Sequence, residues 1–146
     1  MRLLLVRHLP VPDGAGRCYG RLDLPARAAT AAELAAMRDQ TSRLSQPILL
    51  SSPARRCRDL ARHLGPAPRL EPRLRELDFG AWEGLPWDAV PRAALDAWAA
   101  DPTGFTPPGG EGMADFLARL GALADTLREA GRDAVLVTHG GPMRVL

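Results

Sequence analysis

Two stretches near the ends of the chain limit its fold more than anything between them. Leu3-Leu4-Leu5-Val6-Arg7-His8-Leu9 and Ala134-Val135-Leu136-Val137-Thr138-His139-Gly140-Gly141 share one pattern, an apolar run that breaks off at a histidine. An apolar run without polar alternation marks a strand covered on both faces, as in a parallel sheet. Each stretch predicts a buried strand, over 2–6 and 134–138, that delivers a histidine at its carboxyl end.

The chain between them alternates in kind. Residues 9–29 hold Pro10, Pro12, Gly14, Gly16, Gly20 and Pro25, a long loop of the sort that often carries function. Thr30 with Glu33 three residues on makes a capping box and opens a helix to about Leu44. Residues 47–51 read as a second buried strand. Ser52-Pro53 then predicts a helix start, with Ser as the cap and Pro at the first helical position; that helix runs to Gly65-Pro66. A short third strand is expected over 69–71, irregular chain over 72–91, a short helix over 92–100 and a Pro/Gly loop over 101–112. A helix over 113–130 places Phe116, Leu117, Leu120, Leu123, Ala124 and Leu127 on one face, and Gly131 closes it. Gly140-Gly141-Pro142 begins a last helix. Strands alternating with helices give an α/β fold with a parallel sheet covered on both faces.

Composition narrows the class by exclusion. The chain has 146 residues, enough for one domain with a real core, and a net charge of +2. So small an excess gives no ground for nucleic acid or an anionic membrane as partner. The opening apolar run is too short for a signal peptide or a membrane span. Cys18 and Cys57 form no paired motif, which fits free thiols in a reducing cytoplasm. All nineteen basic residues are arginine. Any phosphate clamp in this chain is therefore built from Arg, His and backbone N–H groups.

Three predicted strand ends carry such groups. The first offers Arg7 and His8, the second Ser51 and Ser52 followed by Arg55 and Arg56, the last Thr138 and His139. Ligands of open parallel α/β sheets sit beyond the carboxyl ends of the strands. Helix N-termini following two of these ends favour anions. Each piece alone has a plainer reading: a histidine that is structural, arginines on a solvated face, glycines in a turn. His63, mid-helix with no motif around it, is read in that plainer way. Coincidence at one sheet end makes the set a candidate phosphate pocket with a nucleophile available.

With those residues in place, the chain resembles the histidine phosphatase superfamily, the phosphoglycerate-mutase-like fold. The family's opening strand ends in Arg-His, here Arg7-His8, with Leu9 where the family usually has Gly. Ser51-Ser52-Pro53-Ala54-Arg55-Arg56 is similar to its second motif. Leu74-Arg75-Glu76-Leu77-Asp78-Phe79-Gly80-Ala81-Trp82-Glu83-Gly84 is similar to its third, and Thr138-His139-Gly140-Gly141 to its fourth. The four occur in family order across almost the whole chain. Gly16-Arg17-Cys18-Tyr19-Gly20-Arg21-Leu22-Asp23-Leu24-Pro25 and the Pro107-Pro108-Gly109-Gly110-Glu111 loop further resemble α-ribazole phosphatases of cobalamin synthesis.

The resemblance implies a three-layer α/β/α sandwich around a mostly parallel sheet, and a phosphomonoesterase. His8 would be the nucleophile, forming a phosphohistidine that water hydrolyses. Arg7 and Arg56, but not Arg55, would clamp the phosphoryl oxygens. His139 would donate to them, best as imidazolium. Glu76 would be the general acid, with Glu83 second, and either must hold its proton near neutrality to serve. Arg21, Asp23 and Glu111 would shape the leaving-group pocket. No cofactor or metal is implied. The implied partner is a small phosphate monoester, α-ribazole 5'-phosphate or adenosylcobalamin 5'-phosphate. A phosphoglycerate-mutase-type enzyme, a broad-specificity phosphatase and a non-catalytic phosphate-binding module stay open, and oligomeric state is not set. Members of the family continue past the last His-Gly-Gly helix. The expectation is therefore one domain over 1–146 that lacks its C-terminal helix and strand.

Overall fold

The computed structural model describes residues 1–146. Its sheet has four strands, β1 (Leu3–Arg7), β2 (Ile48–Ser51), β3 (Arg69–Leu70) and β4 (Ala134–Thr138), all parallel, in the order β1-β4-β2-β3. Five helices accompany them: α1 (Ala31–Ser42), α2 (Arg55–Leu64), α3 (Arg92–Ala100), α4 (Met113–Ala130) and α5 (Gly140–Val145). The three-layer α/β/α architecture is the one the alternation of elements calls for.

β4 is the centre of the sheet, and all five of its residues are buried. Its side chains divide by the strand period of two. Val135 and Val137 join Val6, Leu9, Cys57, Leu60 and Ala61 in a core under α2 and α1. Ala134 and Leu136 join Leu50, Leu74, Leu123 and Leu127 under α4. β1 differs from expectation. It pairs only with β4, so it is an edge strand, and Leu3, Leu4 and Leu5 are half-buried. Its apolar run lacks alternation because both of its faces meet a core, Leu4 on one side and Leu3 and Leu5 on the other. Facing two layers and sitting in mid-sheet leave the same sequence pattern.

The register brings the strand ends level with one another. Leu3 pairs with Ala134 and Arg7 with Thr138, and the His8 N–H continues the ladder by donating to the Thr138 carbonyl at 3.0 Å. Ser51 pairs with Val137. β1, β2 and β4 thus present their last residues at one edge. At the opposite end Asp133 gathers the strand starts, accepting from the Ser45 N–H, the Arg2 N–H and the Arg2 guanidinium. Those bonds, the Ser45 one foremost, hold its carboxyl down at about 2.

Two local expectations need correction. Ser52 does not cap α2 and Pro53 is not its first residue, because α2 begins at Arg55 with Ala54 before it. Asp23 supplies the cap instead, its Oδ1 accepting from the Arg55 N–H at 2.7 Å. Leu117 lies off the buried stripe of α4 and is exposed, while Phe116, Leu120, Leu123 and Leu127 are buried. The capping box at Thr30 and Glu33 is present as read.

Candidate active site

The strand ends bring His8 and His139 together. Both are buried, and their rings meet edge-on with centroids 5.1 Å apart. His8 Nδ1 lies 2.7 Å from the Leu9 carbonyl oxygen. A carbonyl only accepts, so Nδ1 carries the proton and Nε2 keeps its lone pair. Burial pushes the His8 pKa down, the Leu9 bond opposes this, and the charges of Arg56 and Arg7 push it further, to about 4. A neutral imidazole with a free Nε2 results. Leu9, where the family usually has Gly, does not disturb this. Its φ is not positive, its side chain fills the core under α2, and its carbonyl holds His8.

His139 is held more deeply. Its Nε2 lies 2.8 Å from Ser52 Oγ, and Cys57 Sγ sits 3.5 Å from the same nitrogen. Burial first, then Arg56, His8, Arg119 and Arg21, lower its pKa to about 2. The imidazolium expected from sequence is therefore not the form of the unliganded site; the ring is neutral there.

Arg56 is 1% exposed and reaches back to the loop before α1. Its two terminal nitrogens donate to the Gly20 carbonyl at 2.6 Å and the Leu22 carbonyl at 2.8 Å. Tyr19 lies under the guanidinium, its ring centroid 5.3 Å away. The terminal nitrogens expected to clamp phosphate are thus engaged by backbone, and Nε is buried without a partner. Gly20 can serve only as glycine, because a Cβ there would overlap the Leu77 carbonyl oxygen. Arg7 is exposed and its guanidinium makes no bond within the chain. Arg55 turns to solvent beside Asp59.

Glu76 lies across from the histidines. Its Oε2 accepts from the Gly141 N–H at 3.1 Å and its Oε1 from the Leu77 N–H at 3.2 Å. A Cβ on Gly141 would overlap Oε1, which explains the second glycine of His139-Gly140-Gly141. Glu83, the second choice for the acid, is engaged by backbone. Its carboxylate accepts from the backbone N–H groups of Gly20, Arg21, Leu22 and Phe79 at 2.8–3.2 Å.

Two cavities share Glu76 and His139. The larger, about 370 Å³, also takes in Arg7, His8, Arg56 and an aromatic wall of Tyr19, Phe79, Trp87, Trp98 and Phe116, with Arg17 and Arg144 at its margin. The smaller, about 260 Å³, is polar and is lined by Arg21, Asp23, Arg75 and Asp78. Arg21 and Asp23 thus lie on the smaller cavity, on the far side of Glu76 and His139 from the aromatic wall. Glu111 lines neither cavity. Burial raises its pKa, but its bonds to Arg119 at 2.6 and 2.8 Å and the charge of Arg21 hold it below the usual carboxylate range.

Arg119 has no motif to mark it. It donates to the carbonyls of Arg73, Arg75 and Glu76 and stacks over Phe116, and so fixes the segment that carries Glu76. A charged residue inside the leucine-rich face of α4 is the only trace it leaves in the sequence. Ser52 is missed in a different way, since its motif is visible but its contact with His139 is not.

The geometry agrees with the wider comparison. Residues 3–146 match the Histidine phosphatase superfamily (branch 1). This chain belongs to the histidine phosphatase superfamily. It is 35% identical to the glucosyl-3-phosphoglycerate phosphatase of Mycobacterium tuberculosis, over 99% of this chain and 73% of that one. The Mycolicibacterium vanbaalenii enzyme of the same name is also 35% identical, over 99% and 72%. Among solved structures, phosphoglycerate mutase from Thermus thermophilus superposes with a TM-score of 0.77 at 38% identity, over 99% of this chain and 81% of that one. An Escherichia coli protein provisionally described as an alpha-ribazole-5'-P phosphatase gives 0.79 at 25% identity, over 98% and 75%. As a histidine phosphatase with phosphatase relatives, the chain is a phosphoric monoester hydrolase. No helix is long and apolar enough to cross a membrane.

Proposed function

We propose that this histidine phosphatase hydrolyses its substrate through a phosphohistidine on His8. The observation that carries the reading is the His8 tautomer, with Nδ1–H on the Leu9 carbonyl and Nε2 free inside a ring of Arg7, Arg56 and His139. The Nε2 lone pair attacks phosphorus, and the bond from phosphorus to the leaving oxygen breaks. Protonated Glu76 gives its proton to that oxygen. Water then attacks phosphorus, the phosphorus–nitrogen bond breaks, and Glu76 takes a proton back. Arg7 and the Nε–H of Arg56 donate to the phosphoryl oxygens, where full charges stabilise the transition state. A phosphoryl dianion beside His139 favours its imidazolium, which adds a further donor. Arg21 and Asp23 line the smaller cavity beside Glu76, open to the entering water, and Glu111 acts through Arg119.

The aromatic wall of the larger cavity favours a leaving group with a flat apolar surface, which supports α-ribazole 5'-phosphate as substrate. A second reading rests on Arg17 and Arg144 at the margin of that cavity and on the mycobacterial relatives. These cations suit an anionic leaving group such as the glycerate portion of a phosphoglycerate derivative. Rates on α-ribazole 5'-phosphate, glucosyl-3-phosphoglycerate and 3-phosphoglycerate separate the two. Rapid acid-free denaturation after mixing with labelled substrate tests the intermediate. Label on wild-type protein that is acid-labile and absent from His8→Ala is the expected result. Label that persists in His8→Ala excludes His8 as the nucleophile.

A further inference from the structure

Ser52 is the second serine of Ser51-Ser52-Pro53, and no step of the phosphohistidine reaction uses it. It is fully buried, as is Ser51, and its hydroxyl serves two partners at once. The Ala54 N–H donates to Oγ at 3.3 Å, and Oγ stands 2.8 Å from His139 Nε2. Nδ1 of His139 has only the weak contact of Cys57 Sγ, at 3.9 Å. The Cys57 thiol is in turn directed to the Thr138 carbonyl at 3.6 Å. Ser52 is therefore the one oxygen partner of the His139 ring.

We infer that Ser52 is a positioning residue, whose hydroxyl holds His139 edge-on to His8 and follows the histidine through its change of protonation. A serine hydroxyl can donate or accept by rotation about one bond, with no backbone movement. In the empty site it donates to Nε2 of the neutral ring, and the Ala54 N–H supplies its other bond. When a phosphoryl group arrives and the ring gains a proton, the same oxygen accepts from Nε2–H. The imidazolium is then braced from behind while its other N–H is available to the phosphoryl oxygens. This rests on the reading of His139 as a donor to phosphate.

The groups that act on His139 come from every neighbouring element. Arg56 and Cys57 approach from α2, His8 from the end of β1, and Arg119 from α4. Arg21, Arg75, Asp23, Glu76 and Asp78 face it across the smaller cavity. The arginines oppose a charge on the ring, and the carboxyl groups favour one without bonding to it. Ser52 Oγ is the oxygen in contact with the ring, and as an acceptor at Nε2 it favours the imidazolium directly.

The test is the pH profile of kcat with p-nitrophenyl phosphate for wild type, Ser52→Ala, Ser52→Cys, Ser52→Thr and Cys57→Ala. His139 as imidazolium governs the alkaline limb of kcat. Removing its acceptor in Ser52→Ala moves that limb to lower pH by about one unit, the equivalent of one charge-assisted hydrogen bond. Ser52→Cys fills the same space with a weaker acceptor and moves it in the same direction. Ser52→Thr keeps the hydroxyl and restores it. Cys57→Ala removes packing from the same ring and leaves the limb in place. Limb position does not depend on the fraction of folded protein, so a partly unfolded variant still reports it. An unmoved limb in both Ser52→Ala and Ser52→Cys, or an equal shift in Cys57→Ala, overturns the inference. Absence of label on wild-type His8 is a separate result that overturns the phosphohistidine reading instead.

Discussion

Glu83→Gln separates holding a loop from donating a proton. Four backbone N–H groups converge on the Glu83 carboxylate, those of Gly20, Arg21, Leu22 and Phe79. A glutamine keeps one accepting oxygen and presents an NH₂ to the rest. With that oxygen in the place of Oε1, the Arg21 and Phe79 bonds survive, the Gly20 bond is halved and the Leu22 N–H faces another donor. Bonds to a charged acceptor contribute about 1.5–3 kcal/mol and neutral ones about 0.5–1.5 kcal/mol. Three weakened bonds at about 1 kcal/mol each and one lost at about 2 kcal/mol sum to about 5 kcal/mol. For a chain of this size the melting midpoint should fall by about 10–15 °C. The damage also reaches the site, because the carbonyls of Gly20 and Leu22 are the ones that hold Arg56. Misplacing that guanidinium by even an ångström should cost about 100-fold in kcat/KM. The assay compares p-nitrophenyl phosphate with an alkyl phosphate in Glu83→Gln and Glu76→Gln. A scaffold role predicts equal losses on both esters in Glu83→Gln. An acid role predicts loss chiefly on the alkyl ester, as expected of Glu76→Gln. A Glu83→Gln protein that melts like wild type and fails only on the alkyl ester would refute the assignment.

Three other perturbations test different parts of the structure. The His8 pKa of about 4 lies below the ordinary 6.5, so the neutral nucleophile should persist as pH falls to about 4. At pH 5 about 90% of it remains reactive, against about 3% for an unshifted histidine; an acid limb of kcat/KM near 6.5, after correction for substrate ionisation, would contradict this. Gly141→Ala drives a Cβ against the flexible end of Glu76, so kcat should fall about 10–100-fold with little change in thermal midpoint. Arg119→Ala takes the bidentate partner from Glu111, leaving only Arg21 at 3.5 Å, and frees the carbonyls of Arg73, Arg75 and Glu76. Denaturant melts should show a loss of about 3 kcal/mol, and a change below about 1 kcal/mol would mean that the network is slack.

The two histidines and Arg56 were legible because their evidence is local. A strand that ends in His, or a Ser-Ser-Pro run before two arginines, occupies a few consecutive residues. The edge position of β1 was not legible, since an edge strand covered on both faces has the same apolar run as a central one. The backbone bonds of Glu83 and the His139 contact of Ser52 escaped the sequence for a shared reason. Their partners lie 62 and 87 positions away, at Arg21 and His139. A glutamate in a family motif and a serine before a proline each had a nearer, plausible duty. Asp23 as the cap of α2 is a further case, 32 positions from the N–H that it satisfies. Arg119 had no motif, and only the folded loop of residues 73–76 gives its five donors something to hold.

The pairing of Arg7 with Thr138 puts the two histidines opposite each other, one residue past the ends of neighbouring strands. Neighbouring strands in any sheet are about 4.8 Å apart, and the two rings are 5.1 Å apart. Backbone pairing thus brings the two rings within reach, and the Leu9 carbonyl and the Ser52 hydroxyl set how each ring is turned. In the proposed reaction the histidines stand on the sheet, while Arg17, Tyr19, Phe79, Trp87 and Trp98, which line the larger cavity, stand on the loops and short helices around it. Loop changes can then alter what the cavity accepts without moving the strand ends that carry the two histidines.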